Sequence, residues 1–165
     1  MTVGRVLAHL LMPPWRVRQV FPAPALRAIE AAIRDCETTH NGEIRFAVEA
    51  TLHPQALWHK QTARERAIEV FSQLRVWDTA QNNGVLIYLL LVDRDVEIVA
   101  DRGIHPLVGQ EVWEMICRDM EAAFRAGNYQ GGVVAGIKAI GAQLAQHYPA
   151  EDPNGNELSD RPVLL

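Results

Sequence analysis

The chain has 165 residues, 48% hydrophobic and 22% charged, which is one domain's length with enough apolar material for a core. Its formal net charge of -4 offers no basic footprint, so nucleic acid is excluded as an expected partner. Two cysteines do not make a disulfide framework; Cys36 and Cys117 fall on the apolar stripes of predicted helices and are expected to be buried, reduced thiols.

Residues 1–21 read as an N-terminal amphipathic arm. Val3, Val6, Leu7, Leu10 and Leu11 fall at helical spacing, with Trp15 and three arginines nearby. Such a helix can lie on a membrane surface or a partner; its shortness and weak charge favour packing back onto its own domain. The apolar stretch Val6 to Met12 contains His9 and runs into Pro13-Pro14 without a small-residue cleavage site, so no signal peptide is expected and the cytoplasm is the simplest placement.

Pro22 and Pro24 open a helix with Leu26, Ile29, Ile33 and Cys36 on one stripe, ended by Asn41-Gly42. Ile44, Phe46, Val48 and Ala50 then alternate with Arg45, Ala47, Glu49 and Thr51, the pattern of a half-buried strand, expected nearer an edge than Val85 to Val92. Thr62-Ala63-Arg64-Glu65 has capping-box form and starts a helix with Ala67, Val70, Phe71 and Leu74 inward.

Val85 to Val92 is an unbroken apolar run, too short to cross a bilayer and lacking polar alternation. It reads as a central strand buried on both faces, which requires helices above and below the sheet. Asp93-Arg94 reads as a two-residue hairpin connection to Val96–Ala100. A helix from about Val108 to Phe124 follows, with Trp113, Ile116, Met120 and Phe124 inward. The last helix runs from about Tyr129 to His147. Its Gly132, Gly136 and Gly141 weaken it and point to close approach of a neighbour. Residues 149–165 read as a disordered acidic tail. The whole is an α/β chain, expected as a three-layer α/β/α sandwich around a small mixed sheet of about four strands spanning residues 22–148.

Familiar catalytic patterns are absent or fail. Asp93-Arg94-Asp95 resembles the nucleophile motif of haloacid-dehalogenase phosphatases, but the chain runs straight into another strand, and a charged hairpin tip explains it better. There is no phosphate-cradling glycine loop, no Cys-x5-Arg loop, no nucleophile elbow and no zinc spacing among the six histidines. What remains is oxygen chemistry. Asp78, Asn82 and Asn83 precede the central strand and Asp101 follows the next, so an antiparallel hairpin brings the two ends side by side. Carboxylates and amides suit Ca²⁺, with Mg²⁺ tolerating fewer protein ligands. The competing reading is a turn built from the residues turns need.

The stretches Gly42 to Ala50 (GEIRFAVEA), Arg64 to Ile104 with its NNGVL element, and Ala122 to Ile140 with FRAGNY resemble the TPM domain family, over about residues 22–147. The family is named for thylakoid-lumen acid phosphatase, photosystem II repair and receptor-modulator proteins. The resemblance implies an α/β/α sandwich and activities that are diverse: acid phosphatase activity for some members, Ca²⁺ binding for others. It aligns the family's acidic loop with Asp78 and its asparagines with Asn82 and Asn83. Where relatives often carry a glycine-rich element, this chain has Ala100-Asp101-Arg102-Gly103, which adds a carboxylate and a guanidinium. Many relatives carry a signal peptide and a membrane helix; this chain resembles the soluble bacterial branch. The expectation is a non-enzymatic, divalent-cation-binding module, with Ca or Mg at Asp78, Asn82, Asn83 and Asp101 and no organic cofactor, acting on a membrane-associated or envelope partner. The alternative is a metal-assisted phosphatase of low specificity, with Arg102 binding phosphate.

Overall fold

The computed structural model describes residues 3–150 and 156–165. In chain order the elements are α1 (Val3–Leu11), α2 (Arg16–Val20), α3 (Ala23–Glu37), β1 (Glu43–Glu49), α4 (Pro54–Trp58), α5 (Ala63–Gln73), β2 (Gly84–Leu90), β3 (Asp95–Ala100), α6 (His105–Val108), α7 (Gln110–Arg125), α8 (Tyr129–His147) and β4 (Val163–Leu164). The sheet order is β3-β2-β1-β4. β1 runs parallel to β2 and to β4, and β2 and β3 form the antiparallel hairpin.

Side-chain alternation divides the core in two. Ile44, Phe46, Val48, Val85, Ile87 and Leu89 pack under α3, α7 and α8. Ala47, Leu86, Tyr88, Leu90 and Val99 pack under α4 and α5. All seven residues of β2 are buried, which is why its sequence lacks polar alternation. This is the mixed three-layer sandwich expected from the sequence.

The capping box forms as read: Thr62 accepts the Glu65 backbone N–H, and the Glu65 carboxylate accepts that of Thr62. The α8 glycines do mark close approach. A methyl at Gly136 would collide with the Met120 sulfur, and one at Gly141 with the Cys36 sulfur. Cys36 and Cys117 are free, partly buried thiols, and burial pushes the Cys117 thiol up to about 12.

Several boundaries differ from the sequence reading. The hairpin connection is longer than two residues: Leu90 pairs with Asp95, and Leu91 and Val92 donate to the Glu49 and Ala50 carbonyls of the β1 chain instead. Gly109, at φ 89°, separates α7, the helix expected from about Val108, from the four-residue α6, which was not foreseen. The five-residue α4 carries no long periodic signal and was not foreseen.

The largest correction concerns the C-terminus. Residues 151–155 of the expected disordered tail lie outside the described residues, but residues 156–165 are ordered and add β4 to the sheet. β1 is therefore not half-buried; six of its seven residues are buried, Glu43 and Arg45 included. Those charges are answered by the C-terminal strap. Glu43 accepts the backbone N–H groups of Glu157 and Leu158 at 3.0 and 3.1 Å, and Arg45 donates to the Ser159 carbonyl.

The arm folds back as two short helices. Val17 and Phe21 enter the main core, while Arg5 and His9 reach Asp93 at the hairpin tip. Asp93 thus has a structural partner, in keeping with its reading as a hairpin tip.

Candidate functional site

The loop before β2 and the turn after β3 meet at one end of the sheet. Asn82 adopts φ 53°, a left-handed conformation that asparagine tolerates. This aims its carbonyl at the Gly103 N–H, which donates to it at 2.8 Å. The approach is close: a methyl at Gly103 would lie 2.6 Å from the Gln81 carbonyl oxygen and nearer still to that of Asn82. Arg102 Nε donates to Asn82 Oδ1 at 3.3 Å, so the two ends of the hairpin are linked by backbone and side chain.

Asp101 is 9% exposed. Its Oδ1 accepts the Arg102 backbone N–H at 2.7 Å, its backbone N–H donates to Gly84, and its carbonyl accepts from His105, opening α6. Its Oδ2 is buried and has no hydrogen-bond partner. Asn83 is fully buried, and its Nδ2 donates to the Asn41 carbonyl at 3.0 Å and to Gln81 Oε1 at 3.3 Å. Its Oδ1 is likewise buried without a partner. Two orphaned acceptors in one turn region are unusual, because a buried polar atom left unpaired costs about 1–3 kcal/mol.

Asp78 behaves differently. Its carboxylate is half exposed and paired with Arg75 Nη2 at 2.6 Å, which anchors the loop rather than the hairpin end. The hairpin therefore joins Asn82 to Arg102 and Gly103, and Asp101 to Gly84. Asn83 is tied toward β1, and Asp78 is held by its neighbour. Among the described residues, no three His, Cys, Asp or Glu side chains are grouped to hold a metal. An ion here would rest on one carboxylate, amide and backbone carbonyl oxygens, and water, a donor set that Ca²⁺ accepts.

Sequence reasoning missed a second polar region at the same end of the sheet. A cleft of about 540 Å³ is lined by Arg34, Glu37, Asn41, Glu43, Gln81 and Asp160 among others. Asn83 is bonded to two of these, Asn41 and Gln81. Burial raises the Glu37 carboxyl to about 9; the Ile44 N–H on Glu37 Oε1 opposes this, and the nearby Glu43 and Asp160 add to it. Burial likewise lifts Glu43 above its ordinary value and lowers His40 to about 4. The signal in the sequence was the charged pair Glu43 and Arg45 at the start of β1.

A family model for the TPM domain matches residues 17–143. The chain belongs to the TPM domain family. Among solved structures, the TPM chain is similar to the NMR structure of BA42 protein from the psychrophilic bacterium Bizionia argentinensis, at 32% identity and a TM-score of 0.76, covering 87% of this chain and 94% of that one. It shares its fold with the N-terminal domain of a P. gingivalis protein, solved by NMR, at 17% identity and a TM-score of 0.62, covering 83% and 92%. A comparison with curated proteins finds no match. Among the described residues of this TPM chain, no helix is long and apolar enough to cross a membrane.

Proposed function

We propose that this TPM domain is a non-enzymatic module that binds a divalent cation, Ca²⁺ before Mg²⁺, and acts on a membrane or envelope partner. The observation that carries the cation is the pair of buried, unpartnered oxygens, Asn83 Oδ1 and Asp101 Oδ2, at the joined ends of β2 and β3. An ion at the hairpin end that reached both oxygens would satisfy them. Strand alternation continues Val85 to Asn83 on the α3 and α8 side and Val99 to Asp101 on the α5 side. Reaching both oxygens therefore requires an ion over the end of the sheet rather than on either face. Asp78 is a peripheral contributor, since Arg75 holds its carboxylate. The cation orders the turn and thereby the surface offered to a partner.

The test is thermal unfolding with millimolar Ca²⁺, Mg²⁺ or Mn²⁺. Cation at 100 times its dissociation constant is expected to add about 2.7 kcal/mol, or roughly 5–11 °C for a domain of this size. Asp101→Asn should remove the shift while remaining folded. A wild-type chain whose melting point ignores all three cations would end the cation reading.

Metal-assisted phosphoester hydrolysis is the second reading, favoured by the exposed Arg102 next to Asp101. A guanidinium there can hold phosphate while the ion polarises a phosphoryl oxygen. Cation-dependent turnover of a simple phosphomonoester, lost in Asp101→Asn and weakened in Arg102→Gln, would replace the binding module with this enzyme.

A further inference from the structure

Helix α1 is amphipathic the wrong way round for a helix serving its own core. Its polar residues face the domain. Arg5 donates to Asp93 Oδ2 from Nε and Nη2 at 2.9 and 2.7 Å. His9 is 3% exposed, accepts the Leu52 N–H on Nδ1 at 3.2 Å, and so presents a protonated Nε2 to Asp93 at 3.2 Å. Arg5 and His9 are four residues apart, which puts them on one face. The opposite face carries Leu7, Leu10 and Leu11, exposed by 53%, 60% and 70%, and Trp15 follows at 61%. A single exposed leucine needs no explanation, but three on one helical face with a tryptophan beside them mark an interaction surface.

The charge around this surface selects its occupant. The first 29 residues hold four arginines and no acid, although the whole chain carries -4. Arg16 and Arg18 stand exposed directly after Trp15. Val17 between them is buried in the main core and fixes α2 to the domain. The apolar face is thus rigidly presented, with cations at its border.

We infer that α1 and the start of α2 dock the protein on an anionic lipid bilayer. Leu7, Leu10 and Leu11 enter the acyl boundary, Trp15 lies at headgroup depth, and Arg16 and Arg18 face lipid phosphates. The Arg5–His9–Asp93 contacts hold the polar face of the helix against the domain, so that binding needs no unfolding of the arm. The inference rests on the membrane part of the proposed function and not on its cation site.

Sedimentation of the full chain with vesicles of phosphatidylcholine alone, or mixed with phosphatidylglycerol, tests it. The chain is expected to pellet with the mixed vesicles and to be released by salt. Leu7→Ser/Leu10→Ser/Leu11→Ser should weaken this by about tenfold or more, given the apolar area withdrawn from lipid. Arg16→Gln/Arg18→Gln should weaken it by about fivefold per arginine. Neither change touches a buried side chain, and the arginine variant carries the test if the leucine variant fails to fold. No pelleting with the mixed vesicles, equal pelleting with neutral ones, or undiminished binding by both variants overturns the inference. A dimer of the wild type that the leucine variant abolishes also overturns it, because a second copy would then cover the face. Asp101→Asn should bind vesicles normally, and the arm variants should keep any cation-induced thermal shift, so the two readings fail separately.

Discussion

Gly84→Ala is expected to destabilise the protein by about 3 kcal/mol, which lowers the melting temperature of a domain this size by roughly 6–12 °C. Gly84 is the first residue of β2 and is buried. A methyl there would lie 3.1 Å from the Val76 carbonyl carbon, 3.0 Å from Val76 Cγ1, and closer still to the Val76 oxygen. A flexible side chain could yield to it; this carbonyl cannot easily do so. Val76 is fully buried in the α5-side core, and its N–H is fixed to the Phe71 carbonyl at 3.0 Å. Relief must come from β2, but Gly84 pairs with Glu43 of β1 and accepts the Asp101 N–H at 2.9 Å. Any shift therefore propagates to both the strand pair and the candidate site, and cation binding should weaken along with stability. Gly4→Ala is the control, since nothing lies within 4 Å of a methyl at that helical position. It should be neutral or stabilising by a few tenths of a kcal/mol. Circular-dichroism melts of both variants decide the matter, and a Gly84→Ala melt within about 1 °C of wild type would show that the loop absorbs the methyl, contrary to the expectation.

The parts of the fold legible in the sequence were those that carry their own local signal. The uninterrupted β2 run, the Thr62–Glu65 capping box and the stripes of α3, α5, α7 and α8 each express burial or end chemistry within a few residues. The misses share a cause. β4 is only Val163 and Leu164 in a polar stretch, and its order comes from Glu43, Arg45 and Val48, more than a hundred residues earlier. No periodicity can announce a strap held by another strand's side chains. β1 looked half exposed for the same reason, because the partner that buries Arg45 lies in that strap. At the site, Asn83 and Asp101 were legible because hairpin geometry places strand ends together. Asp78 has only its type and position to suggest a ligand, and the exposed Arg75 three residues away pairs with it instead. Glu37 and Asp160 were out of reach and Glu43 showed only as a charge at the start of β1, since their shared burial exists only once α3, β1 and the strap have packed.

That packed acid region gives the protein an expected pH dependence. The Glu37 carboxyl stands at about 9 in the fold, first because it is buried, against an ordinary value of 4.5. Below pH 4.5 it is protonated whether the chain is folded or unfolded, and above pH 9 ionised in both, so stability does not respond there. Between these values the folded state holds one proton more than the unfolded state, and stability declines as pH rises by up to about 1.4 kcal/mol per unit. His40 works in the opposite sense at the acid end. Burial holds it at about 4 instead of 6.5, so it favours folding more as pH rises across that interval and offsets Glu37 there. The net loss should therefore emerge between about pH 6.5 and 9. Glu43, also raised by burial, adds to the decline. Urea unfolding across this range should show wild-type stability falling while Glu37→Gln stays flatter and exceeds wild type near pH 8, since a glutamine oxygen can still accept the Ile44 N–H. Parallel curves for the two proteins would contradict this account. The structural consequence is local. An ionised Glu37 stands against Glu43 and Asp160, the residues that hold and belong to the C-terminal strap. Amide exchange at Leu165, whose N–H donates to the Val48 carbonyl at 3.0 Å, should therefore quicken with pH beyond the intrinsic increase in wild type and not in Glu37→Gln.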